Sequence, residues 1–538
     1  MGGHPMRDTT YQWNWDRGQP GAGSARLAGW SDGYTTDATY QDLVNVDLTP
    51  AWFSMISVLN GQPPLDLDGP LVWLDVACGP GLATVTVAAA NPNVQVWGVD
   101  YNPGHIERAR NLAAACGLTN CHFIEASFEQ LSHDPDLGPT EVDVVVVNGV
   151  YSWVSKTNQA HIVEVIGQRL RSGGLAYVMY ETAPGWASVP PLAEAMRLWV
   201  DADGRPGHLA FHEAAGAVND VLDAGALVMP LGRRETTTRS RWASDDPHYA
   251  AHEYLGSNFG PLHADEVFTL MATEAKCSLL SGIAPLDNHP YFSVPIEVAD
   301  LLNGATDPVL ATLIADLVME RALRRDLFRR GRLHPTATEC NRWLDQLTIR
   351  GMGRKFDDKL VELDSMRVTL DPAYHQRLVD ALTETDLNVA AVLAIHPDWT
   401  RQDAISAMCL LVTAGYATPC RPGDPPPAAI AGCQALNSVL MVERSAGRDH
   451  ACVASPATGS MIPIDLVEVL ALDAVATGTD LNTTDLADHV SNHFDAHGLV
   501  VRQDNELIHD RTKGRQIIET RVETLLGRLD ALRRHGVI

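Results

Sequence analysis

Between residues 71 and 180 the chain alternates short apolar runs with longer amphipathic stretches. The runs at 71–76, 94–99, 121–125, 142–147 and 175–180 have strand length, and Val-Asp-Val-Val-Val-Val at 142–147 reads as a strand covered on both faces. Helices are predicted between them at 81–90, 103–116, around 128–131 and at 157–171. Pro103 opens the second, Gly117 closes it, and Gly173 and Gly174 stop the last. This alternation predicts an α/β fold with a parallel sheet and right-handed crossovers. Ahead of it, Thr49 and Pro50 are the predicted N-cap and first residue of a helix.

After Pro190 the pattern changes. Helical periodicity runs over 192–200, 211–224, 249–255, 264–275 and 308–328, with no strand predicted. Gly331 and Pro335 mark a break, beyond which short strands and helices mix. There, 399–416 reads as an amphipathic helix and turn of the winged-helix kind, 421–427 as a Pro-rich linker and 514–535 as a charged helix. The division is a polar segment 1–33 (with Trp13, Trp15 and Trp30), a sheet domain 34–190, a mainly helical domain 191–335 and a mixed α+β domain 336–538.

At 538 residues the chain exceeds one ordinary core. A formal charge of −27 disfavours a phosphate backbone and favours a basic, Lys-rich partner. No C-x-x-C pair occurs among the nine cysteines, so free thiols in a reducing, cytoplasmic setting are expected, without a zinc site. No apolar run approaches a membrane span, and no membrane insertion is expected.

The candidate chemistry starts at Leu71–Gly81, a strand, a glycine turn and a helix start, the opening of a nucleotide-binding half-sheet. Ligands of such sheets lie at the carboxyl ends of the strands. This selects Asp75, Ala77, Cys78, Gly79 and Gly81 after the first strand, and Asp100 and Tyr101 after the second. Ala126, Ser127 and Phe128 follow the third strand, and Asn148 and Gly149 the fourth. Asp100 follows the turn by about twenty residues, where a carboxylate meets ribose hydroxyls. Gly79 and Gly81 are expected to let the backbone pass close to the ligand. A dinucleotide fingerprint would need a third glycine where Thr84 stands. The turn instead resembles the Asp-x-Gly-Cys-Gly-x-Gly motif of class I S-adenosylmethionine (SAM) methyltransferases, with Ala77 for its first glycine.

Two aromatic clusters follow later strands, Tyr151 and Trp153 in one, Tyr180 and Trp186 in the other. Methyl transfer from a sulfonium is an in-line displacement that needs positioning and dryness, and aromatic faces attract a cationic amine. Ordinary core packing is the competing role for these rings. Arg324-Arg325-Asp326 reads as a solvated or inter-domain face. His252-Glu253-Tyr254 lacks the second histidine of a zinc helix and reads as structural.

With Leu74–Gly81, Trp97–Pro103, Gly149–Ser155, Tyr180–Trp186, His252–Leu255, Arg324–Phe328 and Ala454–Pro456, the chain resembles bacterial class I SAM methyltransferases with a regulatory domain. That group includes protein-lysine methyltransferases of outer-membrane proteins. The resemblance implies a Rossmann-like catalytic domain, then a helical middle domain and a C-terminal domain shaping a substrate cleft. It implies SAM as methyl donor, S-adenosylhomocysteine as product and no metal. Asn148, Tyr151, Trp153, Tyr180 and Trp186 are the expected acceptor-side residues, and Tyr34 and Tyr40 join the cofactor set. The expected reaction is N-methylation of lysine in a protein. The alternatives are a small-molecule or peptide methyltransferase and a non-catalytic SAM-binding scaffold.

Overall fold

The computed structural model describes residues 45–538 except 224–249, 251–252, 257, 287–293, 306, 357–359, 363–366, 449, 480–481 and 504–505. Tyr34, Tyr40, His252 and the three N-terminal tryptophans lie outside the described residues.

Seven strands form one sheet in the order β3-β2-β1-β4-β5-β7-β6. They are β1 (Leu71–Val76), β2 (Val94–Asp100), β3 (Cys121–Glu125), β4 (Val142–Val147), β5 (Leu170–Glu181), β6 (Cys277–Gly282) and β7 (Leu323–Arg330). β1 to β5 run parallel, while β7 is antiparallel to both β5 and β6. The predicted helices appear as α1 (Pro50–Leu59), α2 (Leu82–Ala90), α3 (Pro103–Ala115), α4 (Phe128–His133) and α5 (Lys156–Arg169). Thr49 caps α1 through its hydroxyl, with Pro50 in the first turn. Because β1 pairs with β2 on one side and β4 on the other, the order reverses between β1 and β4. The loops after these two strands therefore flank the sheet's switch point, where such folds hold ligands.

Both faces are covered. Trp73, Val144, Val146 and Tyr177 share a core with α1 and with residues 347–417, while Val145, Val147 and Val178 pack with α5 and the helix Ala264–Thr273. This double cover is why β4 is a continuous valine run.

Several expectations change. Gly173 and Gly174 do not stop a helix; α5 ends at Arg169, and both glycines lie inside β5. The β4–β5 register shifts there, Gly173 takes φ 81°, and a Cβ on Gly174 would lie 2.9 Å from the carbonyl oxygen of Asp143. The stretch 191–335 is mainly helical, yet it returns two strands to the sheet. The helix predicted over 308–328 ends at Met319, turns through Glu320 at φ 49°, and continues as β7. Residues 421–427 are no slack linker. Arg421 is buried, and its guanidinium donates to Asp68 (3.0 Å) and Asn91 (3.2 Å).

The following helix, Pro427–Ser445, packs on α2 and α3 through Cys433, Leu436 and Leu440. A Cβ on Gly432 would lie 2.4 Å from the carbonyl oxygen of Ala89. Earlier, Arg401–Thr413 leads through a turn into a strand, Ala417–Pro419, paired antiparallel with Ile349–Gly351. The terminal charged helix is two pieces, Arg511–Leu526 and Leu529–Arg534, broken where Arg528 turns in to pair with Glu468.

Candidate active site

The turn after β1 is built from backbone hydrogen bonds. The N–H groups of Ala77 and Cys78 both donate to the Val99 carbonyl, at 2.8 and 3.0 Å, lashing the turn to β2. Ala77 (φ 65°), Gly79 (φ 56°) and Gly81 (φ 86°) are all left-handed. The two glycines have different reasons. The Gly79 N–H donates to the Asp100 carboxylate at 3.0 Å. At Gly81 a Cβ would sit 2.4 Å from that of Ala109, so this glycine admits α3 to the sheet rather than a ligand to the backbone. Gly81 precedes α2 without a side-chain cap, leaving first-turn N–H groups available to an anion.

Asp100 ends β2 and is 7% exposed. One oxygen accepts from Gly79; the other accepts from the Asn102 N–H (2.8 Å) and lies 3.3 Å from His105 Nδ1. It does not cap the helix after it, because Asn102 does. Carboxylate oxygens accept more than one donor each, so Asp100 keeps acceptor capacity beyond these contacts. Tyr101 follows, half-buried. Asp75 lies beneath the turn, where Thr84 donates to it at 2.6 Å; burial pushes its carboxyl up to about 6 despite that bond, with Asp100 adding to the rise. Burial likewise raises the Cys78 thiol well above its ordinary range.

After β3, Ala126 is buried and its N–H donates to the Asp100 carbonyl (3.0 Å). Ser127 caps α4, its hydroxyl accepting from the Gln130 N–H while Gln130 accepts from the Ser127 N–H. Phe128 packs on the core below α5. After β4, Asn148 accepts from Asn45 at 2.7 Å, and Gly149 is left-handed.

The structure divides the predicted acceptor-side aromatics. Tyr151 and Tyr180 are each 1% exposed, in the core with α5. The Tyr180 hydroxyl donates to Asp326 (2.7 Å), and Asp326 binds Arg324 through both oxygens at 2.8 Å. Tyr180 is thus a buried strut and not the wall of an open pocket. The Tyr151 hydroxyl has no partner among the described residues. Arg324 also reaches Asp316 (2.8 Å), and Arg325 pairs with Asp47. Of the two expected roles for 324–326, the solvated face is not found; the segment is an ion network that reaches Tyr180 and Asp47 of the sheet domain, with Arg324 and Asp326 buried in the sheet.

Trp153 and Trp186 do come together, through a residue the sequence reading missed. Phe259 stacks on Trp153 (4.4 Å, 24°) and meets Trp186 edge-on (5.3 Å, 68°). Tyr254 continues the row, 6.4 Å from Trp186 and stacked on Phe211. The Gly260 N–H donates to the Ser152 carbonyl, and the Ser152 hydroxyl accepts from the Glu181 N–H. One serine thus ties together the β4 loop, the end of β5 and the Phe259 loop. Phe259 stands in Asn-Phe-Gly-Pro, whose glycine and proline signal a loop, but nothing local to it points at Trp153.

Residues 74–174 match the family model described as a methyltransferase domain, and residues 246–330 the model described as a predicted methyltransferase regulatory domain. An uncharacterized protein of Synechocystis is 25% identical over 451 residues, which span 82% of this chain and 87% of that protein. A trans-aconitate 2-methyltransferase of Rhodopseudomonas palustris is 30% identical over 113 residues, spanning 21% of this chain and 40% of that protein. The solved structure of PKMT2 from Rickettsia typhi in complex with AdoHcy is similar in fold, with a TM-score of 0.63 at 18% identity, covering 93% of this chain and 99% of that one.

Proposed function

We propose that this chain, a class I SAM-dependent methyltransferase by its sheet and its methyltransferase-domain match, N-methylates lysine side chains of a protein substrate. The observation that carries this reading is the Trp153–Phe259–Trp186 row at the carboxyl end of β4 and β5, beside the proposed cofactor site. The full-length fold likeness to PKMT2 supports it.

SAM supplies an electrophilic methyl on a sulfonium. In our reading Asp100 holds the ribose, Tyr101, Ala126, Ser127 and Phe128 border the adenine, and the uncapped start of α2 with the Ala77–Gly81 turn receives the methionine carboxylate. Asp75, beneath that turn, sets its local charge. Asn148, braced by Asn45, lies next to the reacting centre with Gly149. Trp153, Phe259 and Trp186 receive the lysine stem and exclude water, while Tyr151 and Tyr180 fix the loops from below.

The attacking amine must be neutral. From an ordinary pKa of about 10.4, neutralising lysine at pH 7 costs roughly 4–5 kcal/mol. Desolvation against the aromatic row reduces that cost. The net charge of −27 favours a Lys-rich substrate and a rate that falls with added salt. We place the reaction in a reducing cytoplasm, consistent with nine free cysteines. Among the described residues no helix is long and apolar enough to cross a membrane.

The test is methyl-labelled SAM incubated with a fractionated cell extract and the full chain. Label on protein lysines is expected; label confined to small molecules would replace this reading with the small-molecule one, and SAM binding without any labelled product would leave a scaffold. Trp153→Ala and Phe259→Ala are expected to lower turnover about tenfold or more with little change in SAM affinity by calorimetry. The reverse pattern would remove the aromatic row from the acceptor site.

A further inference from the structure

Away from the cofactor site, α4 and α5 bring together two histidines and a carboxylate. His161 and Glu164 lie one turn apart on α5, and His133 ends α4. One nitrogen of each ring and one oxygen of Glu164 fall within 4.8 Å of one another. The rings are 5.3 Å apart and nearly perpendicular, at 87°. Two imidazoles bound to one tetrahedral ion at 2.0–2.1 Å would hold their centres about 5 Å apart, so the rings already stand at ligand separation.

The surroundings fit a cation. The Ser132 hydroxyl, anchored on the Glu129 carbonyl (3.0 Å), lies 3.2 Å from His161 Nδ1 and fixes that ring on α5. Glu164 is 3.6 Å from the same nitrogen. His133 borders a surface depression also lined by Glu125, Glu129 and Asp134, which gives an approaching cation an acidic path. His133 is exposed, so its ring turns toward the other two at little cost.

We propose that His133, His161 and Glu164 form a binding site for a divalent transition metal of the zinc class, with water completing the coordination. Two imidazoles and one carboxylate are a borderline donor set that suits zinc or cobalt better than magnesium or calcium. The site is structural. It joins α4 to α5 and uses no residue of the methyl-transfer site.

The test uses the full reduced chain, titrated with Zn²⁺ by calorimetry and with Co²⁺ by visible absorption. One equivalent is expected to bind, with Co²⁺ d–d bands and no thiolate charge-transfer band, and Zn²⁺ is expected to raise the melting temperature. His133→Ala and Glu164→Gln should each weaken binding about tenfold or more while retaining SAM binding, which shows that the fold is intact. Unchanged metal affinity in both variants, a thiolate band, or no saturable binding by the native chain would overturn the site.

Discussion

Ala77 occupies a left-handed position where an L side chain costs roughly 1–2 kcal/mol. Ala77→Gly is therefore expected to stabilise the fold by about 0.5–1 kcal/mol, read as a higher urea midpoint; a lower midpoint would show that the methyl makes contacts worth more than the strain. Gly81 answers to a neighbour, Ala109. Gly81→Ala should destabilise strongly, and Ala109→Gly added to it should recover part of the loss; no recovery would mean that backbone strain alone is responsible. Asp75 carries a pH signature. An unfolded aspartate titrates near 4, whereas burial pushes folded Asp75 up to about 6. Between those values the folded state holds a proton that the unfolded state has released. Stability from this group thus falls as pH rises from about 4 to about 6, by about 3 kcal/mol, and stays lower above. Asp75→Asn should be more stable than the native chain at pH 7 and equal to it at pH 4, measured by urea unfolding at both. The Asp75 and Asp100 positions were legible because strand-end carboxylates follow from the pattern. The reason for Gly81 was not, since it depends on where α3 lands.

At the level of elements, β7 is the instructive one. Leu-Arg-Arg-Asp-Leu-Phe-Arg-Arg reads as a polar surface, yet it is an inner strand between β5 and β6. The Arg324 and Asp326 charges are tolerated because these two, Asp316 and the Tyr180 hydroxyl satisfy one another. Removing one member should cost far more than the net worth of the pair. Arg324→Met is expected to lose about 3–5 kcal/mol by leaving the buried Asp326 carboxylate without its charge partner, and Tyr180→Phe about 1–2 kcal/mol, both from chemical denaturation. Equal effects of the two would contradict a network centred on Arg324. The β1–β5 strands and α1–α5 were legible because each carries its own period. β6 and β7 were not, because their burial comes from partners supplied by other parts of the chain.

Across the whole molecule, the C-terminal region is fastened to the sheet domain at α2 and α3. Arg108 of α3 binds both oxygens of Glu443 at 3.0 and 3.1 Å. Burial pushes the Glu443 carboxyl up, but Arg108 and His450 outweigh it and hold it at about 2. Its contribution is full above the ordinary glutamate range, declines as pH falls below about 4.5, and is gone below about 2. Gly432→Val should drive a side chain into the Ala89 carbonyl and cost about 2–3 kcal/mol. Calorimetry is expected to show the C-terminal region unfolding apart from the sheet domain; a single unchanged transition would mean that the Gly432–Ala89 contact does not carry the coupling between them.

The sequence by itself determined the parallel strands, their crossover helices, the glycine turn and Asp100, because periodicity and turn chemistry are local properties of the backbone. Tertiary structure alone decided which aromatics meet. Tyr180 was drawn into a buried ion network, Trp153 and Trp186 were joined by Phe259, and a charged segment became an inner strand. Each of these depends on contacts between residues far apart along the chain, and only packing brings them within reach of one another.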